Sequence, residues 1–593
     1  MKIIISCLLL LFITANGYSQ KYTNKYDWNF KGYNNCRWSW MVGGWSTMPS
    51  NDNLNNSNTV KLSYSNYWRN HGIVSEYNQN MRFALSQIMP LPRYRKGDIC
   101  TVSLKERAVN IKDLFLVVTT LDNNENIIFQ DSVKLNNKEF ENKKLSFKLS
   151  FERALRVNIN YYGNNDSLQN IYLQGINVKI GKKSFGNQKV SKINRKIKKV
   201  LNKGLNKKYI VPLNKQDSRS LQPILETVKT KRIIGLGECT HGSWEIKEAV
   251  SQFIRTLIRD GNAKLIMIEL PIDLLLKYNL YVQGITPEEY IKQIEKDAKC
   301  YFCDYKSLCN LLIWIRAFNK NNKSKINFCG IDEICQPQIS LYQFYTIVLG
   351  KERALPYLKL VKNKQYQQLL NLSQRDLTIL NTVGDSFFKF YMLILGQCIS
   401  FQQNKENTFT RDHDMAKNIQ ELINIFLKDK EKAVVYAHSM HLSLCPFIQD
   451  YPYTRVTVGS YLNQMFGNEY FPISFQIGTG SYTDGKCSKV SDNIPVLLPK
   501  PLPQSFESVS MNSGLKYFYY PSVHIDKNVI LFNEIPRESH YKSKDIFLSP
   551  RKHFEGFVYI DSSSPLKNIV KKQLLYALTY YDRESKKLEK LTY

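Results

Sequence analysis

The segment Arg232-Ile-Ile-Gly-Leu-Gly-Glu-Cys-Thr-His-Gly-Ser243 decides how the rest of the chain can be interpreted. Its apolar run ends in two glycines, then come Glu238, Thr240 and His241, and a helical pattern follows over 244–259. This order predicts a strand, a turn and a helix, with an acid and a histidine in the turn. Backbone N–H groups at the start of that helix favour negative charge, including a developing oxyanion. The turn is therefore a candidate acid–base site; an ordinary turn with a capping threonine and a solvated glutamate is the alternative.

Three further apolar runs have the pattern of buried parallel strands, at 264–268, 326–330 and 433–436. Helical stretches separate them, so the sequence predicts βαβ units and a parallel sheet. Each run is followed by acids or histidines, namely Glu269, then Asp332 and Glu333, then His438 and His441. Ligands of open parallel sheets bind outside the carboxyl ends of the strands. We therefore expect these side chains to meet in one polar pocket.

Residues 21–185 have a different pattern, because short alternating or apolar runs are separated there by turn residues. This spacing predicts an all-β sandwich or jelly roll. Its aromatic residues include Trp28, Trp38, Trp40 and Trp45, which either bind sugars or belong to the core. A basic linker is predicted over 186–210, and an α/β unit over 211–593. Within that unit, a helical insertion over about 340–410 can cap the pocket, and apolar runs near the C-terminus can add strands.

The first twenty residues have the features of a secretory signal peptide: Lys2, an apolar run over 3–13, and small or polar residues to Gln20. No later run is long and apolar enough to suggest a membrane span, so we expect an exported protein, periplasmic or extracellular. The formal charge is +31. The lysines are spread along the chain without a nucleic-acid-binding motif, so an acidic envelope or polysaccharide surface fits this charge better than nucleic acid.

The twelve cysteines are irregularly spaced and do not form a disulfide framework. Cys300-x-x-Cys303 is a single CxxC pair with Cys309 nearby. Without a second pair it favours a local disulfide or plain packing over a zinc site.

Several of these segments, taken in order, resemble the erythromycin esterase family. Gly235-Leu-Gly-Glu-Cys-Thr-His-Gly242 is similar to its Gly-x-Gly-Glu-x-x-His motif. The resemblance continues through Ile268-Glu-Leu-Pro271, Arg411-Asp-His-Asp-Met-Ala-Lys-Asn418 and Tyr436-Ala-His-Ser-Met-His441, and it extends to about residue 565. It implies an α/β fold with a helical insertion and a deep cleft, and hydrolysis of ester or lactone bonds such as those of macrolide antibiotics.

By motif position, the resemblance implies that His241 is a general base acting on water, without an acyl-enzyme and without a cofactor. Glu238 and Glu269 match the active-site carboxylates of the family, and His438 and His441 match its later histidine pair. Val250 stands where the family's active sites have a basic residue, nine positions after the motif histidine. Lys247 lies one helical turn earlier and can supply a cation there.

The residues themselves support similar chemistry, because a histidine beside a carboxylate can take a proton from water near neutral pH. We expect Lys247, Asp332 and His413 to contact the substrate, and we expect Asp412 to cap a helix. A serine nucleophile is not indicated, since the α/β region has no Gly-x-Ser-x-Gly segment. The histidines and acids could instead bind zinc or manganese, but His-x-x-His lacks the helical spacing of a zinc motif. Three functions remain: an exported ester hydrolase of a small molecule, a non-catalytic ligand- or glycan-binding protein, and an envelope polysaccharide-modifying protein.

Overall fold

The computed structural model describes residues 41–43, 47–51, 59–64, 83–91, 94–108, 113–122, 126–161, 170–184, 204–301, 305–403, 411–445, 447–450, 453–484, 494–498, 501, 505–527, 529, 531–532, 546–547, 549–567 and 573–590. The predicted signal peptide, the four tryptophans at 28, 38, 40 and 45, Cys303 and most of the predicted linker lie outside the described residues. What the sequence indicates for them stays a prediction.

Two antiparallel sheets make up the N-terminal β region, with strand orders β1-β4-β9-β6-β7 and β2-β3-β10-β5-β8. The strands are β1 (Met41–Gly43), β2 (Thr47–Asn51), β3 (Thr59–Tyr64), β4 (Phe83–Pro90), β5 (Ile99–Ala108), β6 (Leu114–Leu121), β7 (Ile127–Leu135), β8 (Glu141–Lys148), β9 (Ala154–Tyr161), β10 (Asn170–Ile180) and β11 (Lys183–Ser184). Alternate residues such as Val102, Leu116, Val157 and Val178 pack between the sheets. The predicted sandwich is confirmed.

The α/β region is organised around a nine-stranded sheet in the order β12-β21-β24-β19-β13-β16-β14-β15, with β20 paired to β19. The six strands from β24 to β15 run parallel. The strands after residue 210 are β12 (Val211–Pro212), β13 (Ile233–Glu238), β14 (Ala263–Pro271), β15 (Asn327–Asp332), β16 (Lys432–His438), β17 (Phe447–Asp450), β18 (Tyr453–Arg455), β19 (Tyr470–Asp484), β20 (Ile494–Leu497), β21 (Tyr517–Pro521), β22 (Leu531–Phe532), β23 (Ile546–Phe547) and β24 (Gly556–Ser563). The four predicted strands are β13 to β16, so the predicted parallel sheet is confirmed.

Helices cover both faces of this sheet. They are α1 (Gln222–Thr227), α2 (Trp244–Asp260), α3 (Leu276–Val282), α4 (Ile291–Tyr301), α5 (Tyr305–Lys320), α6 (Pro337–Lys362), α7 (Tyr366–Arg375), α8 (Thr378–Val383), α9 (Asp385–Gln402), α10 (Arg411–Phe426), α11 (Val458–Phe466), α12 (Phe506–Met511), α13 (Pro550–His553) and α14 (Gln573–Glu589). One core joins α2 and α5 to the sheet, and a second joins α6, α9, α10 and α11 to the opposite face. Among the helices described, none is long and apolar enough to cross a membrane.

Helix α2 follows directly from its sequence. The side chain of Ser243 accepts a hydrogen bond from the backbone N–H of Ile246 and so caps the first turn. Ile246, Val250 and Phe253 recur at helical spacing and are buried against the sheet. Val250 is therefore a core residue, and the helix that carries it begins directly after the His241 turn.

Candidate functional site

The polar residues predicted at the strand ends lie at one edge of the parallel sheet. Glu238 ends β13, His438 ends β16, and the two are Cα partners across those neighbouring strands. Glu269 lies near the end of β14, and Asp332 ends β15. The register of four parallel strands thus places two histidine- and acid-bearing turns beside two further carboxylates.

Glu238 and His241 form a close pair, with Nδ1 of His241 at 2.5 Å from Oε1 of Glu238. The Glu238 side chain is 4% exposed and that of His241 is 48% exposed, so the carboxylate lies beneath a ring that reaches the cleft. An ionised carboxylate only accepts hydrogen bonds, so Nδ1 of His241 carries the donated proton. In the neutral ring Nε2 then has the lone pair and can accept a proton.

Two further groups surround Glu238 on its buried side. The ammonium of Lys247 donates to Oε1 at 3.0 Å and to Oε2 at 2.7 Å. The phenol of Tyr436 also donates to Oε2. Burial alone would raise the pKa of Glu238, but Lys247 and His241 lower it to about 2. Lys247 is itself 4% exposed, so it lies behind Glu238 and not on the substrate side where we expected it.

His438 faces His241, with ring centroids 5.1 Å apart and an edge-on angle of 66°. Its Nδ1 accepts a hydrogen bond from the backbone N–H of Met440 at 3.2 Å. In the neutral ring the proton is therefore on Nε2, which makes that nitrogen a donor. The backbone N–H of His438 donates to Oε2 of Glu269 at 2.8 Å, so Glu269 fixes the turn that carries His438.

His441 is buried between two carboxylates. Its Nδ1 lies 2.6 Å from Asp412 and its Nε2 lies 3.2 Å from Glu269. Burial opposes the charged ring, but Asp412 and Glu269 outweigh it and raise the pKa of His441 to about 9. His441 is therefore a cation at neutral pH. Asp412, which we expected to cap a helix, lies at the start of α10 and binds this imidazolium.

Arg411 joins the acids at the edge of the sheet and has no assigned role in the sequence reading. It donates from Nε to Asp332 at 2.8 Å, from Nη2 to Asp332 at 2.5 Å, and from Nη2 to Glu269 at 3.2 Å. Burial would raise the pKa of Glu269, but His441 and Arg411 hold it well below its ordinary value. Asp332 therefore lies at the predicted edge, where it binds the guanidinium. The available sequence signal was the motif that begins at Arg411.

His413 lies on the same helix as Arg411, with different neighbours. Its ring is 3.2 Å from Asp414 and packs edge-on against Tyr461 of α11 at 5.2 Å between centroids. These contacts lead towards α11 and not towards the His241 turn.

Within the described part of the chain, no group of three or more His, Cys, Asp or Glu side chains has an arrangement that could hold a metal ion. The eight cysteines described are free thiols, and both Cys300 and Cys309 are buried. The alternatives of a metal-bound site and of a metal-free site differ in their chemistry, and the test below separates them.

Two glycines let the turns pack closely. A Cβ on Gly242 would lie 1.9 Å from the carbonyl oxygen of Thr483, and one on Gly237 would lie 2.9 Å from the Cα of Ser439. The backbone N–H of Thr483 also donates to the carbonyl of Gly242 at 2.9 Å. The His241 turn is thus held against β19 through backbone contacts that a side chain would block.

Comparison with known proteins was informative over part of the chain. Residues 388–563 match the family model for Erythromycin esterase. This match confirms the resemblance over those residues, which include Arg411, Asp412, His438 and His441. Glu238, His241 and Glu269 precede the matched range.

Three solved structures are similar to this chain in fold. A protein from Bacillus cereus is 19% identical, with a TM-score of 0.48, over 63% of this chain and 99% of its own. A succinoglycan biosynthesis protein is 18% identical, with a TM-score of 0.46, over 63% and 99%. An erythromycin esterase mutant in its open conformation is 15% identical, with a TM-score of 0.40, over 59% and 95%. Comparison with the curated proteins gave no match.

Proposed function

We propose that this chain is an exported hydrolase of an ester or lactone bond, with His241 as the general base that activates water. The family match supports a hydrolase acting on a small molecule. The observation that carries the proposal is the Glu238–His241 pair, in which a buried carboxylate holds Nδ1 of a half-exposed imidazole. Export is supported by the apolar run near the N-terminus.

The first step is attack of water on the carbonyl carbon. Nε2 of His241 removes a proton from the water as its oxygen bonds to carbon, and the carbonyl oxygen becomes an oxyanion. Glu238 remains ionised through this step and stabilises the imidazolium that forms. A positioned base of this kind contributes about 10²- to 10⁴-fold to the rate.

His438 is suited to stabilise the oxyanion. Its Nε2 is the donor nitrogen, because Nδ1 already accepts a hydrogen bond from Met440. The ring lies beside that of His241, so a carbonyl held between the two rings would meet the base on one side and the donor on the other. A donor placed before charge develops stabilises the transition state without reorganising.

The second step expels the alcohol. The His241 imidazolium returns its proton to the leaving oxygen as the carbon–oxygen bond breaks, so the base ends the cycle in its starting form. His441 has a supporting role in this scheme, since both its ring nitrogens contact carboxylates. It holds Glu269, and Glu269 holds the backbone of His438.

The test is hydrolysis of a panel of macrolides, simple lactones and nitrophenyl esters by the mature protein and by His241→Gln. We expect kcat/KM to fall by about 10²- to 10⁴-fold in the variant. His524→Gln is the matched control, because that ring stacks on Tyr209, away from the strand ends. Equal turnover by the wild type and His241→Gln would refute the assignment of the base.

Two additional measurements separate the mechanisms. In ¹⁸O-labelled water, direct attack places one labelled oxygen in the carboxylate product, and rapid quenching should trap no acyl-enzyme. Loss of turnover with a chelator, restored by zinc or manganese, would instead move Glu238, Glu269 and the histidines into metal-binding roles.

A further inference from the structure

The buried side of Glu238 contains a three-membered polar cluster that the mechanism above leaves without a function. Lys247 on α2 donates to both oxygens of Glu238, at 3.0 and 2.7 Å, and to the phenol oxygen of Tyr436 at 2.7 Å. The phenol of Tyr436 completes the cluster by donating to Glu238. The ammonium also lies over the Tyr436 ring, 5.1 Å from its centroid.

From this geometry we infer that Lys247 and Tyr436 are positioning residues, which act through Glu238 to fix the tautomer and orientation of the His241 ring. The inference rests on the proposed function of His241 for its effect on catalysis, but its effect on the ring can be measured separately. It also accounts for Val250: that side chain is in the apolar core, and the cation of the cluster comes from one helical turn earlier.

The need for a cation follows from burial. A carboxylate removed from water is destabilised in its charged form unless an opposite charge or hydrogen-bond donors compensate. A protonated Glu238 could offer its own proton to His241, and Nδ1 would then become the acceptor. The lone pair that the mechanism needs at Nε2 would be lost in that tautomer.

The charged and titratable groups around Glu238 come from three elements. His241 lies in the turn after β13, Lys247 comes from α2, and Tyr436 and His438 come from β16. Of these, Lys247 is the buried permanent cation. Tyr436 contributes a neutral donor, and it also occupies the ammonium so that the lysine cannot turn away from the carboxylate.

The experiment uses the full chain with ¹⁵N-labelled histidine and ¹³C-labelled glutamate carboxyls, in wild type, Lys247→Met, Lys247→Arg and Tyr436→Phe. Signals are assigned with His241→Gln and Glu238→Gln. In Lys247→Met we expect the carboxyl titration of Glu238 to move up by about one to three pH units. We also expect the ¹⁵N shifts of His241 to show loss of the Nδ1-protonated tautomer. Lys247→Arg should restore both signals, and Tyr436→Phe should shift them in the same direction by less.

Lys432→Met is the matched control for removing a buried lysine. Its ammonium donates to the carbonyls of Val228, Lys229 and Lys231, at the opposite end of the sheet. The inference is overturned if Lys247→Met folds and leaves the Glu238 and His241 signals as in Lys432→Met. If a substrate is turned over, the acid limb of kcat/KM should move with the carboxyl titration. If none is turned over, the spectra still decide the inference while the proposed function fails.

Discussion

Replacing Asp412 by asparagine should lower the pKa of His441 by about one to three units, which is the usual effect of one opposite charge within 4–6 Å. Asp412 lies 2.6 Å from Nδ1 of the ring, and the pKa of His441 is raised to about 9 against the opposing effect of burial. Asparagine keeps the shape of the carboxylate and can still accept the hydrogen bond through its oxygen. The change therefore removes the charge, worth about 1.4 to 4 kcal/mol for that shift.

The assay is a titration of ¹⁵N-labelled histidine by NMR, with the His441 signal assigned by its loss in His441→Gln. Asp414→Asn is the matched control, because Asp414 lies on the same helix but pairs with His413 at 3.2 Å. We expect the His441 titration to move down in Asp412→Asn and to stay in place in Asp414→Asn. A His441 pKa that is unchanged by loss of the Asp412 charge would refute the account of the buried pair.

The same linkage gives the sign of a stability change with pH. The pKa of His441 rises from an ordinary 6.5 to about 9 on folding. The stabilisation is therefore fully present below about pH 6.5 and is lost as pH rises through 9. Chemical denaturation at pH 6 and pH 9 should show a larger loss in wild type than in Asp412→Asn.

Two further substitutions test the packing around the site. Gly242→Ala places a Cβ 1.9 Å from the carbonyl of Thr483, and it should cost about 1 to 3 kcal/mol of unfolding free energy and lower turnover. Its control is Gly396→Ala, where no atom lies within 4 Å of the new Cβ; equal stability of the two variants would contradict the close packing. Lys277→Met should cost about 3 to 5 kcal/mol in urea denaturation, because it leaves Asp297, now 2.7 Å from the ammonium, buried without its cation. A loss below 1 kcal/mol would show that this ion pair is dispensable.

The parallel sheet and the position of the site could be predicted from sequence because both depend on local signals. Buried parallel strands appear as short apolar runs, and the residue that follows each run must emerge at the carboxyl edge. Glu238, Glu269, Asp332 and His438 were found in this way. The β sandwich was indicated by the same kind of signal, since alternation along a strand shows which residues face the core.

Other features depended on contacts that no local pattern contains. Arg411 reaches Glu269 across 142 positions, and Tyr436 reaches Lys247 across 189. A side chain on a predicted helix or strand can face either way within the limits of its period, so its partner is known only when the elements pack. For the same reason Lys247 was expected on the substrate side, whereas packing turns it towards the buried face of Glu238.

One strand was also missed in the β region, and one predicted strand lies elsewhere. Strand β4, Phe83–Pro90, ends in proline and has no clear alternation, yet it pairs with β9 along its whole length. The C-terminal run at 529–532 has strand residues at Leu531–Phe532, but they pair with β23 and not with the main sheet. Strand pairing with a neighbour outweighs weak local propensity in the first case, and the short length of the run limits it in the second.

The two histidines that differ most in their surroundings are His241 and His441, and this difference separates their roles. His441 is buried with a carboxylate at each nitrogen, so it remains a cation and has no nitrogen to offer to water. His241 has one carboxylate at Nδ1 and a side chain that is 48% exposed, so its second nitrogen can reach a substrate. Pairs of titratable groups whose environments push them apart divide acid and base work between them. Exchanging their surroundings, and not their identity, is what would exchange their functions.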